Sequence, residues 1–289
     1  MGRMHIMDKN NSYLLGCYEK AMPNNLTIRD KLKYAKEAGF DYLEISIDET
    51  NEKLERLDYS DEMINRIKLS MIELNFPILT MCLSVHRKFP LGSHDEKIQV
   101  SSLLILEKAC LFASKLGIRI IQLAGYDVYY EDHDSYTQKM FEINLKKCVE
   151  VASKFGIILG FETMETPFMD TVKKSMYYVD LINSPYLNVY PDIGNLTNSN
   201  RKYNTSIEYD LLSGKGKIVA AHLKEIIEGH YREIPFGTGD TLYDTSLKVL
   251  RELDVRLFTG EFWYVGSKEW FNDLKFANQY LREKISRYY

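Results

Sequence analysis

Four side chains of metal-binding type stand at or near the carboxyl ends of separate short apolar runs: Glu162, Asp192, His222 and Glu261. Gaps of 30, 30 and 39 residues separate them, which is about the length of one strand-and-helix repeat. A charged group is costly inside an apolar strand unless it is paired or binds a metal. If the four strands are parallel neighbours, their carboxyl ends meet at one edge, so the four side chains are predicted to share one site.

Three carboxylates and one imidazole form a donor set that favours Mn²⁺, Co²⁺, Zn²⁺ or Mg²⁺ over a thiolate-loving metal. Four protein ligands leave an octahedral ion two positions, which suit adjacent oxygens of a hydroxy-ketone. Such an ion polarises the carbonyl and stabilises an enediolate. Glu162 and Glu261 are predicted to flank the ion as the acid–base pair that inverts a carbon centre. The alternative is that each carboxylate pairs with a lysine of a neighbouring strand.

Eight apolar runs alternate with helix-patterned segments along the chain. Their β-branched and aromatic residues are typical of strands, and Gly39, Gly117 and Gly156 each end a helix just before one. The pattern predicts an α/β fold, the (β/α)₈ barrel, as a single domain over residues 1–289, with 1–12 as a flexible N-terminal extension. A doubly wound sheet is the alternative, but no G-x-G-x-x-G follows the first run. The runs are Tyr13–Tyr18, Tyr42–Ile47, Ile78–Ser84, Arg119–Ala124, Ile157–Thr163, Leu187–Ile193, Ile218–Lys224 and Leu257–Trp263.

Two helix starts and two long polar connections complete this pattern. Ser93 and Ser135 each open a capping-box sequence, which predicts the start of a helix. Tyr126–Asp134 follows the fourth run and Asn195–Ser206 follows the sixth. Both are long and polar enough to act as lids over the mouth of a barrel. Surface decoration is the alternative interpretation of both.

The composition is that of an ordinary globular protein of enzyme size, with 289 residues, 45% hydrophobic and 27% charged. A net charge of −4 and a pI near 5.9 argue against nucleic acid or an anionic membrane as the main partner. No apolar stretch approaches membrane-spanning length. The four cysteines form no C-x-x-C pair and are expected to be buried thiols, so we expect a cytoplasmic protein without disulfides.

Five longer blocks carry a more specific signal, the longest being Met81–Ser93 (MCLSVHRKFPLGS). The others are Gly16–Pro23, Ile121–Tyr130, Tyr190–Leu196 and Pro235–Gly239. Together they resemble the L-ribulose-5-phosphate 3-epimerase family, also called L-xylulose-5-phosphate 3-epimerases. That family belongs to the xylose-isomerase-like barrels and acts in L-ascorbate breakdown. The resemblance runs from about Tyr13 to about Trp270, nearly the whole chain.

This resemblance implies a metal-dependent epimerase with one divalent ion on Glu162, Asp192, His222 and Glu261. The two glutamates would be its acid and base, and its substrate a ketopentose 5-phosphate inverted at C3, between L-ribulose 5-phosphate and L-xylulose 5-phosphate. A homodimer is kept as a candidate assembly. The chain departs from the family pattern at Thr163 and Glu165, and at Leu223 and Glu225, which leaves the two further glutamates without an assigned role.

An acidic protein that binds a sugar phosphate needs its cationic donors concentrated in one place. His86 and Arg87, just after the third run, are the leading candidates, joined by Lys224 at the end of the seventh. The Gly237-Thr238-Gly239 turn is expected to lead into a helix whose N-terminus offers further N–H groups.

The end of the first run is expected to face the same barrel mouth. Tyr18 and Glu19 are therefore candidate substrate contacts. Glu19 would orient a substrate hydroxyl, or else pair with Lys20.

Three other functions compete with this hypothesis. An isomerase or epimerase of another free or phosphorylated ketose differs in its phosphate dependence. An apurinic-site endonuclease uses a related barrel with three zinc ions, but it needs more strand-end histidines than this chain has, and a polyanionic duplex does not suit an acidic protein. A non-catalytic sugar-phosphate-binding barrel would usually have lost an acid–base residue, and both are present.

Overall fold

Eight short parallel strands alternate with helices in the computed structural model, which describes residues 13–289. The predicted flexible extension at 1–12 lies outside the described residues. The strands form one sheet in the order β6-β5-β4-β3-β2-β1-β8-β7, in which every neighbouring pair is parallel. They are β1 Leu14–Tyr18, β2 Tyr42–Ile47, β3 Ile78–Leu83, β4 Ile120–Ala124, β5 Ile158–Glu162, β6 Leu187–Val189, β7 Ala221–Leu223 and β8 Leu257–Gly260.

The described residues form ten α-helices, nine between strands and one after β8, with short 3-10 helices at Glu19–Ala21, Glu55–Asp58 and Ser84–Arg87. Their apolar residues pack onto the sheet in one continuous core that draws on every strand. The helices are α1 Ile28–Glu37, α2 Asn51–Leu54, α3 Asp61–Leu74, α4 Glu96–Leu116, α5 Ser135–Phe155, α6 Val172–Ile182, α7 Ile193–Tyr203, α8 Ile207–Ser213, α9 Tyr243–Glu252 and α10 Trp270–Ile285.

The sheet closes between β6 and β7 through isolated parallel bridges, Val189↔Ile218 and Asp192↔His222. Pro191 lies in this seam and has no N–H to offer a ladder, although its carbonyl accepts the His222 N–H at 2.9 Å. The predicted runs Leu187–Ile193 and Ile218–Lys224 are therefore strands for only three residues each. The closed, alternating arrangement confirms the predicted (β/α)₈ barrel.

The prediction of a long polar loop at Asn195–Ser206 is wrong, because α7 covers most of it. Asp192 caps this helix by accepting the Asn195 N–H at 2.7 Å. The helix buries polar side chains, whose composition in the sequence is typical of a loop. One of them, Asn198, donates to the Ile227 carbonyl at 3.2 Å. By contrast, Tyr126–Asp134 contains no helix or strand, as predicted.

The caps of the two predicted helices are shifted by two residues and by one residue. Asp95, not Ser93, caps α4, and Asp134, not Ser135, caps α5. A carboxylate is as good an N-cap acceptor as a hydroxyl, so an aspartate close to the predicted serine takes the position in both helices. The predicted helix ends are confirmed: Gly117 and Gly156 adopt left-handed backbone at φ 81° and 66°.

A buried ion cluster ties the end of β1 to β2. The Glu19 carboxylate is fully buried and lies 2.6 Å from Arg56, 2.6 Å from Lys53 and 3.1 Å from Lys31. It also accepts the Ser46 N–H at 2.6 Å. Burial alone would raise the pKa of Glu19, but the three cations, Arg56 foremost, hold it well below its usual range. This cluster therefore fixes the chain where it enters the barrel mouth.

No helix among residues 13–289 combines the length and the apolar composition that a bilayer crossing requires.

Replacing Glu19 by Gln is expected to lower the free energy of unfolding by about 3 kcal/mol or more, because three buried cations lose their counter-charge. Denaturant unfolding measures the change. The matched control is Arg66→Gln, which removes one partner of the exposed Glu62–Arg66 pair and should shift stability by less than about 0.5 kcal/mol. Equal effects of the two substitutions would contradict a structural role for the cluster.

Candidate metal centre

The four predicted ligands meet at the carboxyl end of the barrel. One donor atom from each of Glu162, Asp192, His222 and Glu261 lies within 4.8 Å of the others, and all four side chains are buried. Glu162 is the last residue of β5, His222 lies in β7, and Glu261 directly follows β8. Asp192 uses Oδ1 to cap α7, which leaves Oδ2 facing the cluster.

The donor atoms fit a single divalent ion. Asp192 Oδ2 and Glu261 Oε2 are buried, and their close cationic neighbour is the Lys224 ammonium, which does not make a well-directed hydrogen bond to either oxygen. Lone pairs of both oxygens are therefore left for a further cation. His222 Nδ1 lies 3.7 Å from Glu162 Oε1 and 3.4 Å from Glu261 Oε2. Oxygen and imidazole donor atoms separated by these distances suit a central ion whose bonds to them are about 2.0–2.2 Å long. The four residues could therefore hold the divalent ion that the sequence predicts.

Lys224 shares this cluster with the carboxylates. Its Nζ lies 3.0 Å from Asp192 Oδ2 and 3.4 Å from Glu261 Oε2. This is the lysine pairing that the sequence allowed as an alternative, and it applies to two of the three carboxylates. One ammonium offsets only part of the charge of three carboxylates. His222 lies among them, and although burial lowers its pKa, Glu44 and Glu261 raise it well above the ordinary value.

The acidic groups of the cluster are perturbed in different directions. Burial raises the pKa of Asp192 to about 7 even though Lys224 lowers it. Burial, reinforced by Glu261, also raises the pKa of Glu162. Burial acts the same way on Glu261, but Lys224 and His222 outweigh it and hold its pKa well below the usual range. The carboxyls thus share one low-dielectric space in which each senses the charge of the next.

A cavity opens onto the cluster. Of the expected substrate contacts, Tyr18, Arg87 and Lys224 lie in its wall. Arg87 donates to the Tyr126 hydroxyl at 3.2 Å and lies over the Tyr129 ring at 4.8 Å. The charged and aromatic wall residues are Glu162, Glu165, Glu261, Lys20, Arg87, Lys224, Arg232, Tyr18, Tyr126, Tyr231 and Trp263.

Two of the expected substrate contacts, Glu19 and His86, do not line the cavity. Glu19 is enclosed by its own three cations, and Lys20 pairs with Asp48 at 2.6 Å instead. His86 is buried with Nε2 3.2 Å from the Ser102 carbonyl, and burial lowers its pKa to about 4. A neutral, enclosed imidazole offers no cation to a phosphate, so the surroundings of His86 do not support the predicted phosphate contact.

The glycine turn also has a different role from the expected one. The Gly237 N–H donates to Glu225 Oε2 at 2.8 Å, and α9 begins only at Tyr243. The turn is absent from the cavity wall, and its N–H is already used. Glu225 therefore shapes the connection after β7. Glu165, the other glutamate without an assigned role, lines the cavity 3.5 Å from Arg232.

Sequence reasoning missed Glu44, whose Oε1 lies 2.7 Å from His222 Nε2. A signal existed, because Glu44 interrupts the apolar run Tyr42–Ile47 just as the four ligands interrupt theirs. It also missed Arg232 and Trp263 in the cavity wall. These two lie in irregular segments, where no spacing rule identifies them.

Residues 32–283 match the family described as xylose isomerase-like TIM barrel. The probable L-ribulose-5-phosphate 3-epimerase UlaE of Mycoplasma pneumoniae is 42% identical over 250 residues, which cover 86% of this chain and 81% of that protein. The L-ribulose-5-phosphate 3-epimerase UlaE of Shigella flexneri is 40% identical over 238 residues, 82% of each chain. The chain therefore belongs to the L-ribulose-5-phosphate 3-epimerase family of these barrels and is an isomerase of the carbohydrate epimerase type.

Solved structures share this fold at low sequence identity. The D-psicose 3-epimerase of Clostridium cellulolyticum H10 superposes with a TM-score of 0.79 at 15% identity, over 94% of this chain and 99% of that one. An L-ribulose 3-epimerase superposes with a TM-score of 0.76 at 14% identity, over 95% of each chain. At this identity the likeness concerns the architecture alone.

Adding Mn²⁺ or Zn²⁺ to the metal-free protein is expected to raise Tm by about 5 °C or more at 100-fold excess over Kd, because the ion binds only the folded state. The Asp192→Asn variant should lose this shift. Asparagine keeps the helix cap, so folding is preserved while one ligand oxygen is lost. Differential scanning fluorimetry measures the shift.

The control for this experiment is Asp240→Asn, which removes a half-exposed carboxylate paired with Arg201. It should keep the full metal-dependent shift. If Asp192→Asn also kept it, the assignment of Asp192 as a ligand would be contradicted.

Proposed function

We propose that the protein is a metal-dependent epimerase that inverts C3 of a ketopentose 5-phosphate, interconverting L-ribulose 5-phosphate and L-xylulose 5-phosphate. The observation that carries the proposal is the convergence of Glu162 and Glu261 on one buried cluster beneath a cavity lined with cations. The names of the relatives at 40% and 42% identity support the choice of substrate.

The topology supports an acid–base role for the two glutamates. Glu162 ends β5, which borders β6, and Glu261 directly follows β8, which borders β7. Asp192 and His222 stand between them at the β6–β7 seam. The two carboxylates therefore approach the cluster from opposite sides. Inversion of a carbon centre needs this arrangement, because one group removes a proton from one face and the other returns a proton to the opposite face.

In the proposed reaction one glutamate takes the C3 proton, and the electron pair of that bond forms the C2–C3 double bond of an enediolate. The other glutamate then gives a proton to the opposite face of C3. A divalent ion held by the four ligands, Zn²⁺, Mn²⁺, Co²⁺ or Mg²⁺, supplies Lewis-acid stabilisation of the negative charge that develops on the sugar oxygens. Lys224 adds a fixed positive charge beside Asp192 and Glu261.

The phosphate is assigned to the part of the cavity around Arg87. Arg87 Nε and the Ser84 hydroxyl are buried in the wall without a hydrogen-bond partner. Tyr126 and Tyr129 hold the guanidinium in place, so its unused N–H is fixed in direction. A guanidinium and a hydroxyl are suitable donors for phosphate oxygens. Lys20 and Arg232 add positive charge to the same wall.

Each of Glu162→Gln and Glu261→Gln is expected to slow epimerisation by at least about 10²-fold, since both proton transfers are needed. The direct assay incubates the enzyme with L-xylulose 5-phosphate in D₂O and follows deuterium incorporation at C3. A chelator should abolish incorporation by the unmodified enzyme. Glu62→Gln, which changes an exposed carboxylate paired with Arg66 outside the cavity wall, serves as the control. Near-normal turnover by both cavity variants would overturn the two-glutamate mechanism.

Arg87→Met is expected to lower kcat/KM for the phosphorylated ketose by about 10- to 100-fold, mainly through KM, because a hydrogen bond to a charged group contributes about 1.5–3 kcal/mol. Activity on the unphosphorylated ketose should be weak and little changed. Arg201→Met, which removes an arginine that pairs with Asp240, is the control. Full activity of the unmodified enzyme on the free sugar would point to the alternative, a free-ketose epimerase.

A further inference from the structure

Glu44 is a buried acidic residue with no part in the mechanism above. It lies in the middle of β2, is fully buried, and places Oε1 2.7 Å from His222 Nε2. The two residues are 178 positions apart in the chain, so only the closed barrel brings them together. A buried carboxylate needs compensating donors, and those around Glu44 show how it is oriented.

Hydroxyl groups hold the second oxygen of this carboxylate. Thr80 donates to Glu44 Oε2 at 2.6 Å and Tyr190 donates to it at 2.9 Å. Thr259 lies 2.8 Å from both the Tyr190 and the Tyr42 hydroxyl, which extends the network across the barrel. All of these side chains are buried. With Oε2 held from several strands, Oε1 has a fixed direction toward the imidazole.

The two imidazole nitrogens therefore face different surroundings. Nε2 contacts the Glu44 carboxylate, whereas Nδ1 faces Glu162 and Glu261. The Gln122 amide nitrogen lies 3.0 Å from Nδ1 and 3.2 Å from Nε2, so it does not discriminate between them. A neutral imidazole carries one proton and one lone pair, and the hydrogen bond at one nitrogen decides which atom can bind a metal.

We propose that Glu44 is a positioning residue that accepts a hydrogen bond from the Nε2–H of His222 and thereby directs the Nδ1 lone pair toward the place that a divalent ion would take beside Glu162 and Glu261. This inference rests on the proposed metal centre. Removing the oxygen acceptor leaves the ring free to rotate and to populate the other tautomer. Partners of this kind typically change metal affinity by about 10- to 100-fold.

The test on the unmodified protein is NMR of the Zn²⁺-loaded enzyme with ¹⁵N-labelled histidine. His222 should carry its proton on Nε2, seen as a slowly exchanging proton coupled to that nitrogen, while Nδ1 shows the shift of a metal-bound nitrogen. A proton on Nδ1 with the metal on Nε2 would overturn the proposal. This experiment needs no substitution, so it stays decisive even if a variant fails to fold.

The second test compares Glu44→Gln with Glu44→Leu. Both substitutions remove the negative charge, but only glutamine keeps an oxygen that can accept the hydrogen bond from His222. Co²⁺ titration followed by visible absorption should give a Kd within about 10-fold of the unmodified protein for Glu44→Gln, and about 10- to 100-fold weaker for Glu44→Leu. Unmodified affinity in Glu44→Leu would reject the positioning role while leaving the metal centre intact. Failure of the unmodified protein to bind Co²⁺ would instead reject the metal centre itself, and the inference with it.

Discussion

The site is built around one electrostatic constraint. Three carboxylates share a buried space with one ammonium and one imidazole. Glu162, Asp192 and Glu261 repel one another, and Lys224 offsets only part of their charge. Such an arrangement persists only where the surrounding structure holds it in place. The barrel does so by drawing each group from a different element, at the end of β5, at the cap of α7, within β7 and just past β8.

The interior of the barrel is arranged in layers along its axis. Below the cluster, Glu44 and hydroxyl groups from neighbouring strands surround the far side of the His222 ring. Above it, the cavity brings Arg87, Lys20 and Arg232 to the rim, where an anionic end of a sugar can lie. Although the chain is acidic overall, four cationic side chains lie in this one wall, Lys20, Arg87, Lys224 and Arg232, and can face an anionic substrate locally. The Glu19 ion cluster then anchors the entry of the chain into that mouth.

Sequence reasoning identified the barrel and all four clustered residues because both leave local signals. Charged side chains that interrupt apolar runs at a regular spacing are visible without any knowledge of partners. It failed where the partner is remote: nothing near Glu19 indicates that Lys53 and Arg56 enclose it, and nothing near His86 indicates its burial against Ser102. It also read α7 as a loop, since its buried asparagines and threonine resemble a solvated segment until the β7 connection that they contact is known.

The most direct test of the account is a crystal structure of the protein loaded with Mn²⁺ or Zn²⁺, with anomalous diffraction recorded at the absorption edge of the metal. We expect one strong anomalous peak, bonded at about 2.0–2.3 Å to a carboxylate oxygen of each of Glu162, Asp192 and Glu261 and to Nδ1 of His222. A peak elsewhere, or a cluster in which the Lys224 ammonium alone neutralises the carboxylates in the presence of saturating metal, would contradict the central claim.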